Sequence, residues 1–157
     1  YLRATVLNAL AEAGFKITAF AGGITETFNE FPALRNIEYF DGYKNHDELN
    51  VLYNRSKIVL SVHSPQLKDG VSPRIFDAAL SGSFQLVENK PDMAELFPEG
   101  VACFNNLEEA VALARKYLTD ENERERLASI AHDTALNRHT FKSRVREICR
   151  IMNFSII

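Results

Sequence analysis

The 157-residue chain has 18 Lys and Arg against 21 Asp and Glu, a formal net charge of −3, and 46% of its residues are hydrophobic. This composition predicts one globular domain with an ordinary core, and it excludes a disordered chain and a domain that binds nucleic acid through bulk positive charge. No apolar run approaches the ~20 residues that span a bilayer, and the beginning of the chain lacks a signal-peptide pattern. We therefore expect a cytoplasmic protein without a nucleic-acid partner.

Cysteine and histidine usage indicates a reducing compartment and no metal site. The two cysteines, Cys103 and Cys149, lie in apolar sequence surroundings, which is typical of buried thiols rather than of a disulfide. The four histidines have no metal-ligand spacing, so we expect no metal ion. The chain begins at Tyr1 without an initiator Met, which indicates a piece of a longer protein.

Helical and strand-like segments alternate along most of the chain, and its end is helical. The run Lys57–His63 is the most strand-like, because it is short, apolar and β-branched, as in a parallel sheet buried on both faces. Strands separated by helices predict an α/β fold, with one parallel sheet and right-handed crossovers. The predicted strands cover residues 15–20, 36–40, 57–63, 83–87 and 101–104, and the predicted helices cover 5–13, 46–55, a segment from Pro73 onward, 92–97, 107–118, 121–137 and 141–153.

Ligands of such sheets bind beyond the carboxyl ends of the strands. The loops at that edge are predicted to be residues 21–23, 40–45, 63–72 and 87–91. The third loop is the most informative, because it follows the best strand and leads into a helix that carries charged residues.

The segment Asp69–Gly82 begins as that loop and continues as a helix from Pro73. A loop that opens a helix presents unpaired backbone N–H groups and the positive end of a helix dipole, which suits an anionic ligand such as a phosphate. The helix has one apolar face for the core and a second face with small residues beside a base and an acid. The apolar face holds Ile75, Phe76, Ala79 and Leu80, and the second face holds Arg74, Asp77, Ala78 and Ser81.

Arg74 and Asp77 suit a ligand with both phosphates and hydroxyls. The guanidinium of Arg74 matches phosphate oxygens, and the carboxylate of Asp77 can accept hydrogen bonds from the 2′- and 3′-hydroxyls of a ribose. The alternative is a surface ion pair between them, worth ~0.2–1 kcal/mol. Asp69 also has two interpretations, a ligand contact or a local turn with Gly70.

Three further parts of the chain have a functional and a structural interpretation. His63 closes the best strand and either contacts the ligand or caps the sheet edge. Gly22, the first of two glycines after a strand, either lets a ligand approach the backbone or forms a turn. Near the end of the chain, Thr140 is predicted to cap a helix, on which Lys142 and Arg144 form a solvated face.

Four segments together resemble the spore-maturation-protein-type glycosyltransferases, which belong with the group 1 glycosyltransferases of GT-B architecture. They are residues 57–63 (KIVLSVH), 69–77 (DGVSPRIFD), 82–87 (GSFQLV) and 139–144 (HTFKSR). The resemblance covers nearly the whole chain, and the ordered set is more specific than any one of its members.

The resemblance implies that residues 1–157 form the Rossmann-like donor-binding half of a GT-B fold, with helices on both faces of its sheet. This half starts in its first helix, without the usual first strand, and the acceptor-binding domain is absent. The implied reaction transfers a sugar from a nucleoside diphosphate sugar to a hydroxyl acceptor. The partners are then the donor, an unknown acceptor and an N-terminal acceptor domain, and no cofactor or metal is expected.

The resemblance also assigns roles to residues. Many retaining members carry two glutamates separated by seven residues, and the matching positions here are Asp69 and Asp77. Asp77 would hold the ribose, Asp69 would lie near the donor sugar, and Arg74 would bind the diphosphate. The expected catalytic residues are Asp69 and Arg74, and the expected donor-binding residues are His63, Gly70, Val71, Ser72, Arg74, Asp77 and Gly22.

A module of the same fold that binds a nucleotide without catalysis, or serves in assembly, is the alternative. The acid pair favours the enzyme, because a degenerate module should lose it. A dehydrogenase is disfavoured, because the sequence has no G-x-G-x-x-G loop.

The end of the chain combines an apolar helix stripe with the apolar run Phe154–Ile157. Soluble domains rarely leave such a cluster exposed. We therefore expect the chain to form a homodimer through this tail or to fold the tail onto its own surface, the alternative being a frayed terminus.

Overall fold

The computed structural model describes residues 2–20, 22–40, 42 and 45–154. Parts of the predicted loops 21–23 and 40–45, and Ser155–Ile157 of the predicted tail cluster, lie outside the described residues. The strands are β1 (Thr18–Phe20), β2 (Glu38–Phe40), β3 (Val59–Ser61), β4 (Gln85–Glu88) and β5 (Ala102–Phe104). The helices are α1 (Leu2–Glu12), α2 (His46–Arg55), α3 (Arg74–Leu80), α4 (Met93–Leu96), α5 (Leu107–Thr119), α6 (Glu121–Arg138) and α7 (Phe141–Ile151).

The described strands form two parallel sheets, and the prediction of one sheet was wrong in this respect. β1 pairs with β2, with Ala19 opposite Tyr39. The second sheet has the order β3-β4-β5, with Leu60 opposite Leu86 and Val87 opposite Cys103. The sequence pattern specifies which segments are extended, but it does not specify which strand edges meet.

Helices cover both faces of the larger sheet, as the α/β pattern predicts. Side chains alternate between the faces of a strand, so neighbouring residues of β4 enter different cores. Leu86 packs in a cluster with residues of α1, α5 and α6, whereas Val87 packs in a cluster with α3, α4 and the second half of α6. This arrangement confirms a Rossmann-like α/β fold.

Helix α1 joins the two sheets through its two apolar sides. Val6 and Leu10 pack in the cluster of the larger sheet, whereas Leu7 packs with Leu34 in a third cluster beside the β1-β2 pair. Ile17 contacts both clusters. Helix α1 therefore packs against both sheets, although no strand pairing joins the two sheets in the described residues.

Sequence reasoning did not anticipate two short 3₁₀ helices, Ile24–Thr27 and Pro32–Asn36. Such helices are only a turn or so long, so they show no apolar periodicity. Both cysteines are free but only half-buried, so the prediction of buried thiols was too strong. Burial raises the pKa of the Cys103 thiol, which keeps it protonated.

The last helix, α7, begins where predicted, because Thr140 Oγ1 accepts the N–H of Ser143. Its apolar stripe is exposed, with Phe141 92% and Ile148 54% accessible. Of the helices in the described ranges, none is both long and apolar enough to cross a bilayer.

Candidate functional site

His63 lies two residues beyond the end of β3 and is completely buried. Its ring Nε2 lies 3.0 Å from the carbonyl oxygen of Glu88, and its ring Nδ1 lies 3.1 Å from the backbone nitrogen of Ser72. Because a carbonyl only accepts and a backbone N–H only donates, the ring must be neutral with its proton on Nε2. Both ring nitrogens are occupied by protein groups, so this geometry favours a supporting role over direct contact with a ligand.

Glu88 reinforces the same connection at the end of β4. Its Oε2 accepts the backbone N–H of His63 at 2.9 Å, and its Oε1 pairs with Lys90 Nζ at 3.2 Å. Lys90 and Glu88 lie in the predicted loop 87–91, but neither was singled out from the sequence. The signal was available, since an acid and a base follow a buried strand at the ligand edge of the sheet.

The first turn of α3 offers fewer unpaired amides than the sequence predicts. The N–H of Ser72 is bonded to His63, the N–H of Ile75 donates to Ser72 O at 3.1 Å, and the N–H of Phe76 donates to Pro73 O at 3.0 Å. The helix is also only seven residues long. The backbone N–H of Ser72, an expected donor-binding residue, is therefore occupied by a protein group, whereas the Arg74 side chain is exposed.

The polar face of α3 is narrower than predicted. Ala78 is fully buried and Leu80 is 38% exposed, which reverses their predicted positions. The backbone N–H of Ser83 donates to Ala78 O at 3.2 Å and closes the C-terminal turn of α3, and the side chain of Gln85 in β4 donates from Nε2 to Ile75 O of the same helix at 3.0 Å. The exposed polar residues are therefore Arg74 and Asp77, beside the half-buried Ser81.

A cleft of about 200 Å³ separates α2 from α3, and Asp77 and Ser81 line its α3 side. Pockets for drug-sized ligands are commonly ~300–1,000 Å³, so this cleft suits a single ring rather than a whole nucleotide sugar. Asp77 and Arg74 do not form the surface ion pair that was the alternative, since no N–O distance within 4.0 Å joins these two described residues. The full lining is His46, Leu49, Asn50, Tyr53, Asp77, Leu80 and Ser81.

Tyr53 of α2 is the cleft residue with a perturbed proton affinity. Burial is the first cause that raises the pKa of its phenol, and the negative charge of Asp77 is the second, opposed by the positive charge of Arg74. The three side chains are therefore close enough to share one electrostatic environment. A neutral phenol beside a carboxylate supplies a donor and an acceptor to a hydroxylated ring.

Sequence reasoning predicted the helix at residues 46–55 but singled out none of its cleft residues as functional, among them His46, Asn50 and Tyr53. The pattern of α2 is correct, and Asn45 caps it by accepting the N–H of Glu48 at 2.8 Å. The pattern does not show how α2 and α3 pack together. In the structure they leave the Tyr53 ring half-buried at a cleft between them.

The predicted catalytic residue Asp69 and the predicted donor-binding residues Gly70 and Val71 lie in the loop outside this cleft. Asp69 is exposed, and its carbonyl accepts the N–H of Asp92 at 3.3 Å. A Cβ placed on Gly70 would lie 3.8 Å from Asp92 Oδ2. Val71 packs its side chain into the core cluster of α3, so any ligand contact falls to its backbone. The loop therefore follows the edge next to α4.

Gly22 lies beyond β1 of the smaller sheet and is exposed. It does not line the cleft between α2 and α3. A wider groove of about 840 Å³ runs between α1 and α5, with Ala9 and Val111 in its wall, and contains no predicted site residue. Within the described ranges, no group of three or more His, Cys, Asp or Glu side chains is arranged to hold a metal ion.

His139 supports the other side of α3. Its Nε2 donates to Leu96 O at 2.8 Å, and its Nδ1 accepts from Arg144 at 3.0 Å. The ring also packs against Phe76 and Phe97, with centroid distances of 5.2 and 5.3 Å. Arg144 was predicted to be a solvated surface residue, and this contact corrects that interpretation.

Acid should destabilise the fold through His63 and His139. Burial lowers the pKa of both imidazoles below the ordinary 6.5, so below that pH the unfolded chain binds more protons than the folded one. Their contribution is complete above pH 6.5 and is lost as the pH falls towards the lower folded-state pKa values.

We expect the urea midpoint of unfolding to fall between about pH 7.5 and 5.5, a range above ordinary carboxyl titration. His132→Asn serves as a control, since that side chain is 38% exposed and its loss should leave the pH dependence in place. A midpoint that stays constant over this range would contradict the assignment of neutral, acceptor-bearing rings.

Comparison with known proteins places the chain in a family. The sequence profile of the glycosyl transferase-like family matches residues 3–150. The structure is similar to AviGT4, a glycosyltransferase involved in avilamycin A biosynthesis, with a TM-score of 0.59 and 19% sequence identity. The match covers 95% of this chain and 48% of AviGT4, so the chain spans about half the length of that protein.

No curated protein matches the sequence. The likeness to AviGT4 confirms the predicted Rossmann-like α/β fold of GT-B type. The family profile extends from the first helix to the last, as the sequence resemblance did. The chain therefore belongs to the glycosyl transferase-like family.

Proposed function

We propose that this chain is the donor-binding half of a glycosyltransferase that moves a sugar from a nucleoside diphosphate sugar to a hydroxyl acceptor. The observation that carries the proposal is the cleft between α2 and α3, which Tyr53 and Asp77 line from opposite helices, with Arg74 exposed on the same helix as Asp77. Family membership supports the class of reaction, and the cleft supports the class of donor.

The ribose, the diphosphate and the sugar of the donor each contact a different part of this surface. The cleft of about 200 Å³ accepts the ribose, whose vicinal hydroxyls donate to the Asp77 carboxylate. The diphosphate lies outside it, against the exposed guanidinium of Arg74, which can bind two phosphate oxygens at once. The sugar then extends along the loop that contains Asp69 and Gly70.

Catalysis in this arrangement depends on position and charge. Holding the donor in a fixed geometry lowers the entropic part of the barrier. Arg74 stabilises the negative charge that develops on the departing diphosphate. Asp69, exposed on the loop, is placed in this proposal next to the donor sugar. The acceptor belongs to a second domain, which also completes the cleft of the whole enzyme.

Isothermal titration with nucleoside diphosphates tests the proposal. Uridine, guanosine, adenosine and thymidine diphosphates are each compared with the matching nucleoside. We expect at least one diphosphate to bind about tenfold tighter than its nucleoside, a difference of ~1.4 kcal/mol, because only the diphosphate reaches Arg74.

Equal affinity for the diphosphate and the nucleoside would contradict a phosphate contact at Arg74. Diphosphate binding by this chain, with no sugar transfer by the longer protein that contains it, would instead indicate the non-catalytic nucleotide-binding module.

A further inference from the structure

The ring of His63 closes the loop that leads to α3. The loop begins at His63, just after β3, and returns to it at Ser72, whose N–H donates to His63 Nδ1 at 3.1 Å. Residues 64–71, including Asp69, therefore form a closed segment, held at its base by one side chain. The side chain that closes the base is fully buried, since His63 has no exposed surface.

The two ring nitrogens hold different parts of the structure. Nε2–H donates to Glu88 O and connects the end of β3 to the end of β4. Nδ1 holds Ser72, and the carbonyl of Ser72 in turn accepts the N–H of Ile75 at 3.1 Å. The hydrogen bond at Nδ1 is thus linked, through Ser72, to the first turn of α3, which contains Arg74.

Burial of the ring favours the neutral form of His63, and the two hydrogen bonds of the ring place its proton on Nε2. Burial lowers the pKa of His63 most strongly, and the positive charges of Lys90 and Arg3 act in the same direction. Glu88 opposes them through its charge and its carbonyl. Nδ1 must be unprotonated to accept the hydrogen bond from the N–H of Ser72. A protonated Nδ1 would instead place its own N–H against the N–H of Ser72.

We propose that His63 is a positioning residue whose Nδ1 fixes the loop 64–72 and the first turn of α3 for the nucleotide, without touching the nucleotide itself. The inference rests on the proposed function of the α2–α3 cleft. In this proposal, the hydrogen bond at Nδ1 affects nucleotide affinity, and the hydrogen bond at Nε2 holds the ends of β3 and β4 together.

The substitutions His63→Asn and His63→Gln separate the two contacts. The Asn Oδ1 occupies the position of Nδ1 and keeps an acceptor for Ser72, whereas the Gln amide reaches the position of Nε2 and keeps a donor for Glu88 O. Each variant loses one hydrogen bond and some ring volume, so we expect similar falls in the urea midpoint of unfolding.

Affinity for the tightest-binding nucleoside diphosphate should differ between the two variants. We expect His63→Gln to bind about tenfold more weakly than the wild type, which is ~1.4 kcal/mol, and His63→Asn to stay within about threefold. Equal losses in both variants would reduce His63 to a general structural residue. An intact affinity in His63→Gln would overturn the proposal.

Amide hydrogen exchange gives a readout that needs no ligand. The exchange rate of the Ser72 N–H should rise in His63→Gln and stay low in His63→Asn. Equal exchange in the two variants would overturn the role of Nδ1, even if the wild type binds no nucleotide. Failure of nucleotide binding with the expected exchange pattern would overturn only the proposed function.

Discussion

Asp77→Ala should weaken binding of the nucleoside diphosphate by more than about tenfold, or ~1.4 kcal/mol, while the melting temperature stays nearly unchanged. Asp77 is exposed, lines the cleft and forms no ion pair with Arg74, so the fold loses little when its carboxylate is removed. The ligand loses its acceptor for the ribose hydroxyls. Isothermal titration and thermal unfolding of the same preparation measure both effects.

Two further variants sharpen this test. Asp133→Ala removes an acid that is 70% exposed on α6, away from the cleft, and should leave the affinity unchanged. Asp77→Asn keeps one oxygen acceptor and should fall between the wild type and Asp77→Ala. If Asp77→Ala lowers the melting temperature by several degrees and leaves the nucleotide affinity unchanged, Asp77 has a structural role and does not bind the ligand.

Gly100→Ala should cause a large loss of stability. Gly100 has φ +95°, and a Cβ at this position would lie 2.5 Å from the backbone nitrogen of Ala131 in α6. A left-handed backbone costs a residue with a Cβ ~1–2 kcal/mol, and forcing an extra methyl into a packed site adds ~1–3 kcal/mol. The total is roughly 2–5 kcal/mol, which urea unfolding measures directly.

Gly82→Ala provides the matched control for the backbone term. Gly82 has φ +76°, but a Cβ there meets no atom within 4 Å. Its substitution should therefore cost only the conformational part, ~1–2 kcal/mol. Equal losses of stability for Gly82→Ala and Gly100→Ala would show that α6 yields to the methyl group and does not pack rigidly against this turn.

Local sequence signals predicted much of the fold. The bounds of α2, His46–Arg55, agree with the prediction. The capping residue Asn45 and the apolar face of the helix are both features of the local sequence. Helices α5 and α6 begin where Asn106 and Asp120 accept the N–H groups of residues three positions ahead. Such caps are properties of the nearby sequence, so they need no knowledge of the tertiary structure.

Features that depend on neighbours were not predictable. Whether Ala78 or Leu80 is buried depends on how α3 packs against its neighbours, and the exposure of Tyr53 depends on how α2 packs beside α3. The bond from His63 to Ser72 crosses a loop whose shape the pattern does not specify. The sequence therefore indicated the α3 side of the candidate cleft, through Asp77 and Ser81, while the α2 side of the cleft required the structure.

The location of the bound nucleotide tests the central claim most directly. The nucleoside diphosphate that binds tightest is titrated into ¹⁵N-labelled protein, and the backbone amide shifts are followed by NMR. We predict saturable shifts at Asn50, Tyr53, Asp77 and Ser81, with a second group in the loop 69–72. Shifts confined to the groove between α1 and α5, around Ala9 and Val111, would contradict the assignment of the α2–α3 cleft as the nucleotide site.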